Sequence, residues 1–475
     1  MEKKIYLSGQ WKVTKTKLEV RSPYDGSVVG HTYRAGPAEI EEAIASAVVA
    51  FQQTRKLPSH RRAELLFKVS EGIRRRREEL ARTLAQEAGK PLKSARGEVD
   101  RAANTFAVAA EEAKRIEGHL LPLDLDAASA GRWGILRRFP LGPIAGISPF
   151  NFPLNLVAHK VAPALAAGNS IIIKPASATP FSALNLAEIV HEAGAVPGAF
   201  QVIPCAGRDA GALVEDPRIK MLTFTGSAEV GWGLKARAGK KRVTLELGGN
   251  AATIVHHDAD LERSAERCTF GGFSFAGQSC ISVQRIYVHE RVFNFFMEKF
   301  VPKVQALRLG DPLEEATDLG PLIDREAAEK AKAWIDEAVA GGAKVATGGK
   351  LRGAMLEPTV LVDVKPDMKV SCQEAFAPLV TVVPYKEVDE VLALVNDSAY
   401  GLQAGLFTYD LQFIWKAYEE IEVGGLMIND VSTYRIDHMP YGGVKDSGLG
   451  REGLRYAIEE MTELKLLGLD PRLGQ

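Results

Sequence analysis

The chain has little cysteine. Four occur in 475 residues, Cys205, Cys268, Cys280 and Cys372, and no two form a C-x-x-C pair. That excludes a zinc ribbon and a disulfide framework, and it fits a reduced, cytoplasmic setting. An excess of one charge is also missing. Lysine plus arginine number 59 against 60 acids, a formal net charge of -1. No bulk attraction to nucleic acid or to an anionic membrane is expected. No apolar run approaches the roughly 18–20 residues of a membrane span. The opening Met1-Glu2-Lys3-Lys4-Ile5 is not followed by an apolar h-region, so a secretory signal is not expected. Repeats and low-complexity tracts are absent as well. What remains is an ordinary globular balance, 46% hydrophobic and 25% charged, in a chain long enough for roughly two to four domains.

The first third reads mostly as helix, with apolar residues at helical spacing over 40–51, 63–88 and 99–116. The run Arg74-Arg75-Arg76-Arg77 reads as a solvated helix face, because Glu78 and Glu79 follow it. Residues 120–139 carry prolines, glycines and alternation, which predicts a hairpin leaving the main body. From Pro140 strands and helices alternate. Strands are expected at 144–147, 170–174, 200–203, 221–225, 244–247 and 252–255, with a helix over 180–193. A second α/β unit follows, and the segment 463–468 reads as a last strand that pairs with the 120–139 excursion or with another subunit. The fold class is α/β, with mostly parallel, doubly wound sheets.

Six features carry chemistry. Cys280 sits in Gly277-Gln278-Ser279-Cys280-Ile281, a polar, glycine-bearing loop that suits an accessible thiol. The other three cysteines read as ordinary buried residues. Glu246 ends the apolar strand before Gly248-Gly249, where a carboxylate can activate water. Asn151, in Ser148-Pro149-Phe150-Asn151-Phe152-Pro153, stands between a strand and a helix and can donate to an oxyanion or cap that helix. Asn155 and His159 follow at spacings that form a polar line on an apolar helix, which requires a cavity or a buried network to face. Lys174 stands at the carboxyl edge of a strand, where open α/β sheets bind nucleotides. Phe224-Thr225-Gly226-Ser227 leads a strand into a helix and can present backbone N–H groups to a phosphate, although it is not a G-x-G-x-x-G turn. Glu374 beside Phe376 can hold ribose hydroxyls and flank a flat ring.

Together and in this order, Pro149–Pro153, Lys174-Pro175, Phe224–Ser227, Leu245–Gly249, Gly277–Cys280, Glu374–Pro378 and the tail Pro440–Gly448 resemble the aldehyde dehydrogenase superfamily over nearly the whole chain. The resemblance implies a Rossmann-like cofactor domain at 1–119 and 141–247 and a catalytic domain at 248–446. It also implies oligomerisation strands at 120–140 and 462–475, and a connecting helix at 447–461. It implies that Cys280 adds to the aldehyde carbon, that Asn151 and the Cys280 backbone N–H hold the oxyanion, and that Glu246 activates the hydrolytic water. Lys160 and Glu452 match positions used for proton relay and its support. The implied dinucleotide contacts are Ile147, Ser148, Pro149, Phe150, Lys174, Ser177, Gly207, Phe224, Gly226, Ser227, Val230, Leu247, Glu374 and Phe376.

Ser177 stands where family members strict for NAD often carry Glu, so dual use with some NADP preference is expected. Arg101, Asn155, His159, Ser279, Ile281 and Arg435 are the implied substrate contacts. Two arginines favour a short polar or anionic aldehyde, as in the lactaldehyde, non-phosphorylating glyceraldehyde-3-phosphate and succinate semialdehyde enzymes. Ser279 replaces the Arg that some phosphate-binding members place there. A homodimer or homotetramer is expected by resemblance. The rival readings are a coenzyme A-acylating member, against which Glu246 argues, and a catalytically silent scaffold or binding member, against which Cys280, Asn151 and Glu246 argue together.

Overall fold

The computed structural model describes residues 1–470; part of the expected terminal segment 462–475 therefore lies outside the described residues. Two sheets organise the chain. In the first, eight strands run in the order Gln10–Lys12, Ile5–Leu7, Phe200–Val202, Ser170–Lys174, Pro143–Ile147, Met221–Thr225, Arg242–Glu246, Gly448–Leu449. The five from Phe200 to Glu246 are parallel. Their order reverses between Pro143–Ile147 and Met221–Thr225. At such a switch point the loops leaving two strands part and open a crevice at the carboxyl edge. The loop carrying Asn151 and the turn Gly226-Ser227 leave the sheet at this place.

The second sheet has seven strands, Lys344–Thr347, Thr359–Val362, Leu379–Tyr385, Val283–His289, Ala251–Val255, Gln403–Phe407 and Gly425–Ile428, parallel except for the first. Glu246 ends a strand of the first sheet and Ala251 begins one of the second. Cys280 lies just before Val283–His289. The carboxyl edge of one sheet thus faces the amino edge of the other across Glu246–Asn250. The helix Asn155–Ala167 packs on the first sheet against the helices Leu92–Ala113 and Leu454–Glu460 and is buried along its entire length. Asn155, His159 and Lys160 must therefore find partners inside the protein.

Sequence periodicity located the long elements within a few residues and missed the short ones. The first third is not helix throughout. Strands Ile5–Leu7, Gln10–Lys12, Thr16–Arg21 and Val28–Arg34 precede the first helix, and runs of this length carry little period-2 signal. The pattern over 63–88 is two helices, Ser59–Arg75 and Arg77–Ala88, broken at Arg76. Arg76 pairs with Glu79 and Glu188, and Arg77 with Asp100, so these two arginines serve ion pairs. The excursion forms strands His119–Pro122 and Trp133–Pro140, and Thr462–Leu469 pairs antiparallel with the second of them. Within 447–461, the short strand Gly448–Leu449 joins the first sheet and the helix spans only Leu454–Glu460. No helix among the described residues is long and apolar enough to cross a membrane.

Candidate active site

The nucleophile loop is held in an unfavourable backbone conformation. Phe275, Ala276 and Gly277 all have positive φ, 49°, 54° and 70°, and each non-glycine residue there costs roughly 1–2 kcal/mol. Gly277 has no alternative, because a Cβ would lie 2.0 Å from the Ala377 carbonyl oxygen. Buried Gln278 braces the turn by accepting from the Ile323 N–H and donating to the Pro321 carbonyl. The Lys90 ammonium lies 3.7 Å from the Phe152 ring centroid and 4.3 Å from that of Phe275. Gly249 leaves room for the backbone of the loop, since a Cβ there would meet the Cys280 oxygen at 2.1 Å. Burial pushes the Cys280 thiol up to about 12, against a hydrogen bond from Tyr441 and the nearby charge of Arg435. The sulfur lies 3.0 Å from the Tyr441 hydroxyl.

Asn151 is not a helix cap. The helix starts at Asn155, and Glu98 from the helix Leu92–Ala113 accepts the N–H groups of Leu154 and Asn155. Asn151 instead donates through Nδ2 to the Gln278 carbonyl at 3.0 Å. An amide carries two N–H donors. One pins Asn151 to the nucleophile loop, and the other remains for an oxyanion.

Glu246 is buried, and neither of its carboxylate oxygens has a protein hydrogen-bond partner. Burial pushes its carboxyl well above the usual carboxylate range, and the neighbouring charge of Glu452 adds to this. A buried unpartnered carboxyl with a raised pKa has the character of a general base that takes its proton from water. Behind it lies a charged chain. Lys160 Nζ donates to Thr223, Thr225 and Glu452 at 3.1, 2.7 and 3.3 Å. Glu452 also accepts from Arg435 Nη2 at 3.0 Å. Burial works to raise the Glu452 carboxyl, but Lys160 and Arg435 hold it below its usual range.

Asp437, which no motif singled out, gathers the expected substrate residues. Its Oδ1 accepts from Arg101 Nη2 at 2.7 Å and from His159 Nε2 at 2.9 Å, with Asn155 Nδ2 at 3.4 Å. Burial raises the Asp437 carboxyl, yet His159 and Arg101 outweigh it and hold the group well below the usual range. The polar line on the helix therefore faces a buried network. His159 stands behind the cavity rather than on its wall.

The cavity itself has a volume of about 250 Å³. Arg101, Pro149, Phe150, Asn151, Phe152, Asn155, Gly226, Ser227, Leu247, Ser279, Cys280, Ile281, Glu374, Phe376 and Arg435 are among the residues that line it, together with Tyr441. A wider hollow of about 660 Å³ shares Arg101, Phe152, Ser279 and Ile281 with it. Glu246, Lys160 and Glu452 lie behind the wall, and Ile147, Ser148, Lys174, Ser177, Gly207, Phe224 and Val230 lie on the side of the first sheet. Cys205 and Cys268 are buried, as expected, but Cys372 is exposed. It ends the four-residue helix Lys369–Cys372, with its sulfur 3.7 Å from the Asp367 carbonyl oxygen.

A profile of the aldehyde dehydrogenase family matches residues 11–467. The chain belongs to this family. It is 49% identical over 467 residues to a 3-sulfolactaldehyde dehydrogenase of Priestia aryabhattai, covering 98% of each chain. Aldehyde dehydrogenase 21 of Physcomitrella patens, solved with its reaction product succinate, superposes with a TM-score of 0.98 at 45% identity, covering 100% of this chain and 99% of that one. A glyceraldehyde-3-phosphate dehydrogenase of Methanocaldococcus jannaschii, solved with NADP, matches with a TM-score of 0.93 at 39% identity, covering 96% of this chain and 100% of that one. The protein is an NAD(P)-dependent oxidoreductase of two α/β domains.

The first-sheet side of this aldehyde dehydrogenase fits such a dinucleotide. Ser227 precedes the helix Ala228–Arg237 and makes no side-chain cap, so the N–H groups of the first turn are open to a phosphate. The buried Ser148 hydroxyl is unpartnered. Lys174 is desolvated, which lowers its pKa, and among the described residues no carboxylate pairs with it; it donates only to the Pro175 carbonyl at 3.3 Å. Gly248 lets Glu374 approach, since a Cβ would stand 2.5 Å from its carboxylate. Burial pushes the Glu374 carboxyl up to about 7, against a hydrogen bond from the Gly249 N–H. G-x-G-x-x-G spacing does occur, at Gly448–Gly453, but it lies at the edge strand and serves to place Glu452.

Sequence reading passed over Asp437, Glu98, Gln278 and Tyr441 as functional parts. Gln278 and Tyr441 stand inside the Gly277–Cys280 and Pro440–Gly448 segments and Asp437 and Glu98 in neither, and the partners of all four are distant in the chain. The arginines it did name were visible by their charge alone.

Proposed function

We propose that this protein oxidises a short aldehyde with an anionic head group to the carboxylic acid, through a thioester on Cys280. The observation that carries this reading is the presence of Arg101 and Arg435 on the wall of the cavity that holds Cys280. Each is paired with one acid, but the Nε of both is buried without a partner. A guanidinium presents five N–H donors, so each arginine retains donors for a sulfonate or carboxylate. The relative named for 3-sulfolactaldehyde and the neighbour solved with succinate support the same class.

The Cys280 sulfur attacks the carbonyl carbon, and the free N–H of Asn151 holds the resulting oxyanion. When bound, the nicotinamide supplies the hydride acceptor that converts the thiohemiacetal into a thioester. Glu246 then removes a proton from water, whose oxygen attacks the thioester carbon. The second oxyanion forms at Asn151, and the C–S bond breaks to return the thiolate. Lys160 and Glu452 stand behind Glu246 to pass the proton onward. A member that transferred the acyl group to coenzyme A would not need a base at Glu246.

Lys174 with Ser177 in place of a carboxylate supports use of both cofactors with a preference for NADP. The exposed strand Thr462–Leu469, with Leu464, Leu466 and Leu467, supports a homodimer or homotetramer built through it. Steady-state turnover of 3-sulfolactaldehyde, succinate semialdehyde, lactaldehyde, glyceraldehyde 3-phosphate and hexanal with each cofactor tests the reading. The anionic aldehydes are expected to show the highest kcat/KM. Hexanal turned over as well as any of them would overturn it.

A further inference from the structure

The mechanism gives the cavity residue Tyr441 no task. Tyr441 is buried, its ring lines the cavity, and its hydroxyl lies 3.0 Å from the Cys280 sulfur. Among the described residues this is the one hydrogen bond recorded at that sulfur. The tyrosine is held from both sides. Its backbone pairs with Glu452, with Tyr441 N–H donating to the Glu452 carbonyl at 3.0 Å and Glu452 N–H donating back at 2.6 Å. The Arg435 guanidinium lies 3.6 Å from its ring centroid. The same glutamate that pairs with Arg435 thus also fixes the backbone of the ring beneath it.

We propose that the Tyr441 hydroxyl is a further catalytic group, which donates its O–H to the Cys280 sulfur when that sulfur is a thiolate and so generates the nucleophile in a desolvated cavity.

Three observations support the direction of the bond. A thiol ionises before a phenol when neither is perturbed. Burial raises both groups here, the Tyr441 phenol well above its ordinary range, so burial gives the phenol no reason to ionise before the thiol. The cation over the ring face draws electron density from the phenol and makes its O–H a better donor. The thiol proton leaves to solvent. The sulfur lone pair then forms the C–S bond, the carbonyl π pair moves to the oxygen held by Asn151, and Tyr441 keeps its proton throughout. Once the sulfur is bonded to carbon its charge is gone and the hydrogen bond weakens.

The size of the effect follows from general chemistry. A hydrogen bond to a charged acceptor lowers the thiol pKa by about one to two units. Thiolate nucleophilicity falls with a Brønsted slope near 0.4–0.5, so the net gain below the pKa is about 3- to 10-fold.

This inference rests on Cys280 being the nucleophile of the proposed reaction. It is tested without an aldehyde, so failure of the substrate panel and failure here are distinguishable. Alkylation of Cys280 by iodoacetamide at pH 7.5 is followed by peptide mass spectrometry, which separates it from exposed Cys372. Tyr441→Phe is expected to react about 3- to 10-fold more slowly than wild type. Placing 2-fluorotyrosine at 441 keeps the shape and strengthens the donor while leaving the phenol the weaker acid, and is expected to speed alkylation. That second enzyme carries the test even where the phenylalanine variant does not fold. A phenylalanine variant reacting at the wild-type rate, or a fluorotyrosine enzyme no faster than wild type, overturns the proposal.

Discussion

Arg101 points its Nη2 at Asp437 Oδ1 from 2.7 Å, and His159 Nε2 reaches the same oxygen from 2.9 Å. A carboxylate only accepts, so His159 holds its proton on Nε2. Burial and the charge of Arg435 lower the His159 pKa, which keeps the ring neutral. Asp437 thereby fixes the direction in which Arg101 presents its remaining donors. Asp437→Asn is expected to raise KM for an anionic aldehyde about ten- to hundredfold while leaving the KM for cofactor unchanged. Steady-state kinetics with both substrates varied measures the split. Equal loss on both sides would place Asp437 in general stability rather than in orienting Arg101.

The same carboxylate sets an acid limit. Its folded pKa is depressed, so its contribution to stability is present above the unfolded value, about 3.9. That contribution is lost as pH falls from there toward the depressed folded value. The wild-type urea midpoint is expected to decline over this range more steeply than that of Asp437→Asn. Parallel acid limbs in the two proteins would remove Asp437 from the account.

Glu246 predicts a pH dependence in catalysis rather than in stability. Its carboxyl is raised by burial and by Glu452, and only the ionised form accepts a proton from water. Deacylation is expected to accelerate as pH rises through that raised value. Glu246→Gln is expected to flatten the profile, slow turnover by about 10²–10⁴ and let an acyl adduct accumulate on Cys280. Intact-protein mass spectrometry after addition of substrate reads the adduct directly; its absence together with normal turnover would refute the role.

The sequence made the chemistry legible where one residue type sufficed. The positions of Cys280, Glu246, Asn151 and Lys174 were readable because each sits at a strand end or in a glycine-bearing loop, and the fold brings Cys280 and Asn151 to the cavity wall with Glu246 behind it and Lys174 on the first-sheet side. The long elements were readable for the same reason, since thirteen buried residues in Asn155–Ala167 leave an unmistakable apolar run. The supports were not readable. Asp437 lies 336 residues from Arg101, and Tyr441 lies 161 from Cys280. Nothing local distinguishes an aspartate that will hold an arginine from one on the surface. The strained backbone at Phe275 and Ala276 was equally silent, because neither residue type favours positive φ.

Asn151 gives a sharper test than its residue type alone would. Asn151→Ala removes both the oxyanion donor and the bond to the Gln278 carbonyl. The first loss is expected to cost about 10²–10³ in kcat. Asn151→Asp separates the two, because it keeps the size but turns the donor into an acceptor facing both the carbonyl and the oxyanion. It is expected to fall at least as far as the alanine variant, read as kcat at saturating cofactor. Wild-type turnover in either would remove Asn151 from the oxyanion site.

Ser177 and Lys174 allow cofactor choice to be tested by one substitution. Lys174 is a desolvated amine without a carboxylate partner among the described residues, and Ser177 lies three positions after it, partly exposed. A glutamate at 177 would repel the adenosine 2′-phosphate of NADP and accept hydrogen bonds from the ribose hydroxyls of NAD. Like charges brought close in a partly buried site disfavour each other strongly, and Lys174 would be drawn toward the new carboxylate instead of a phosphate. Ser177→Glu is therefore expected to lower kcat/KM for NADP by more than about tenfold, with NAD unchanged or improved. Lys174→Met is expected to lose NADP affinity in the same direction but without the gain for NAD. Titration of each cofactor by quenching of protein fluorescence, alongside kcat/KM, measures both. A wild-type kcat/KM for NAD far above that for NADP, unchanged by Ser177→Glu, would show that the choice is made elsewhere in the crevice.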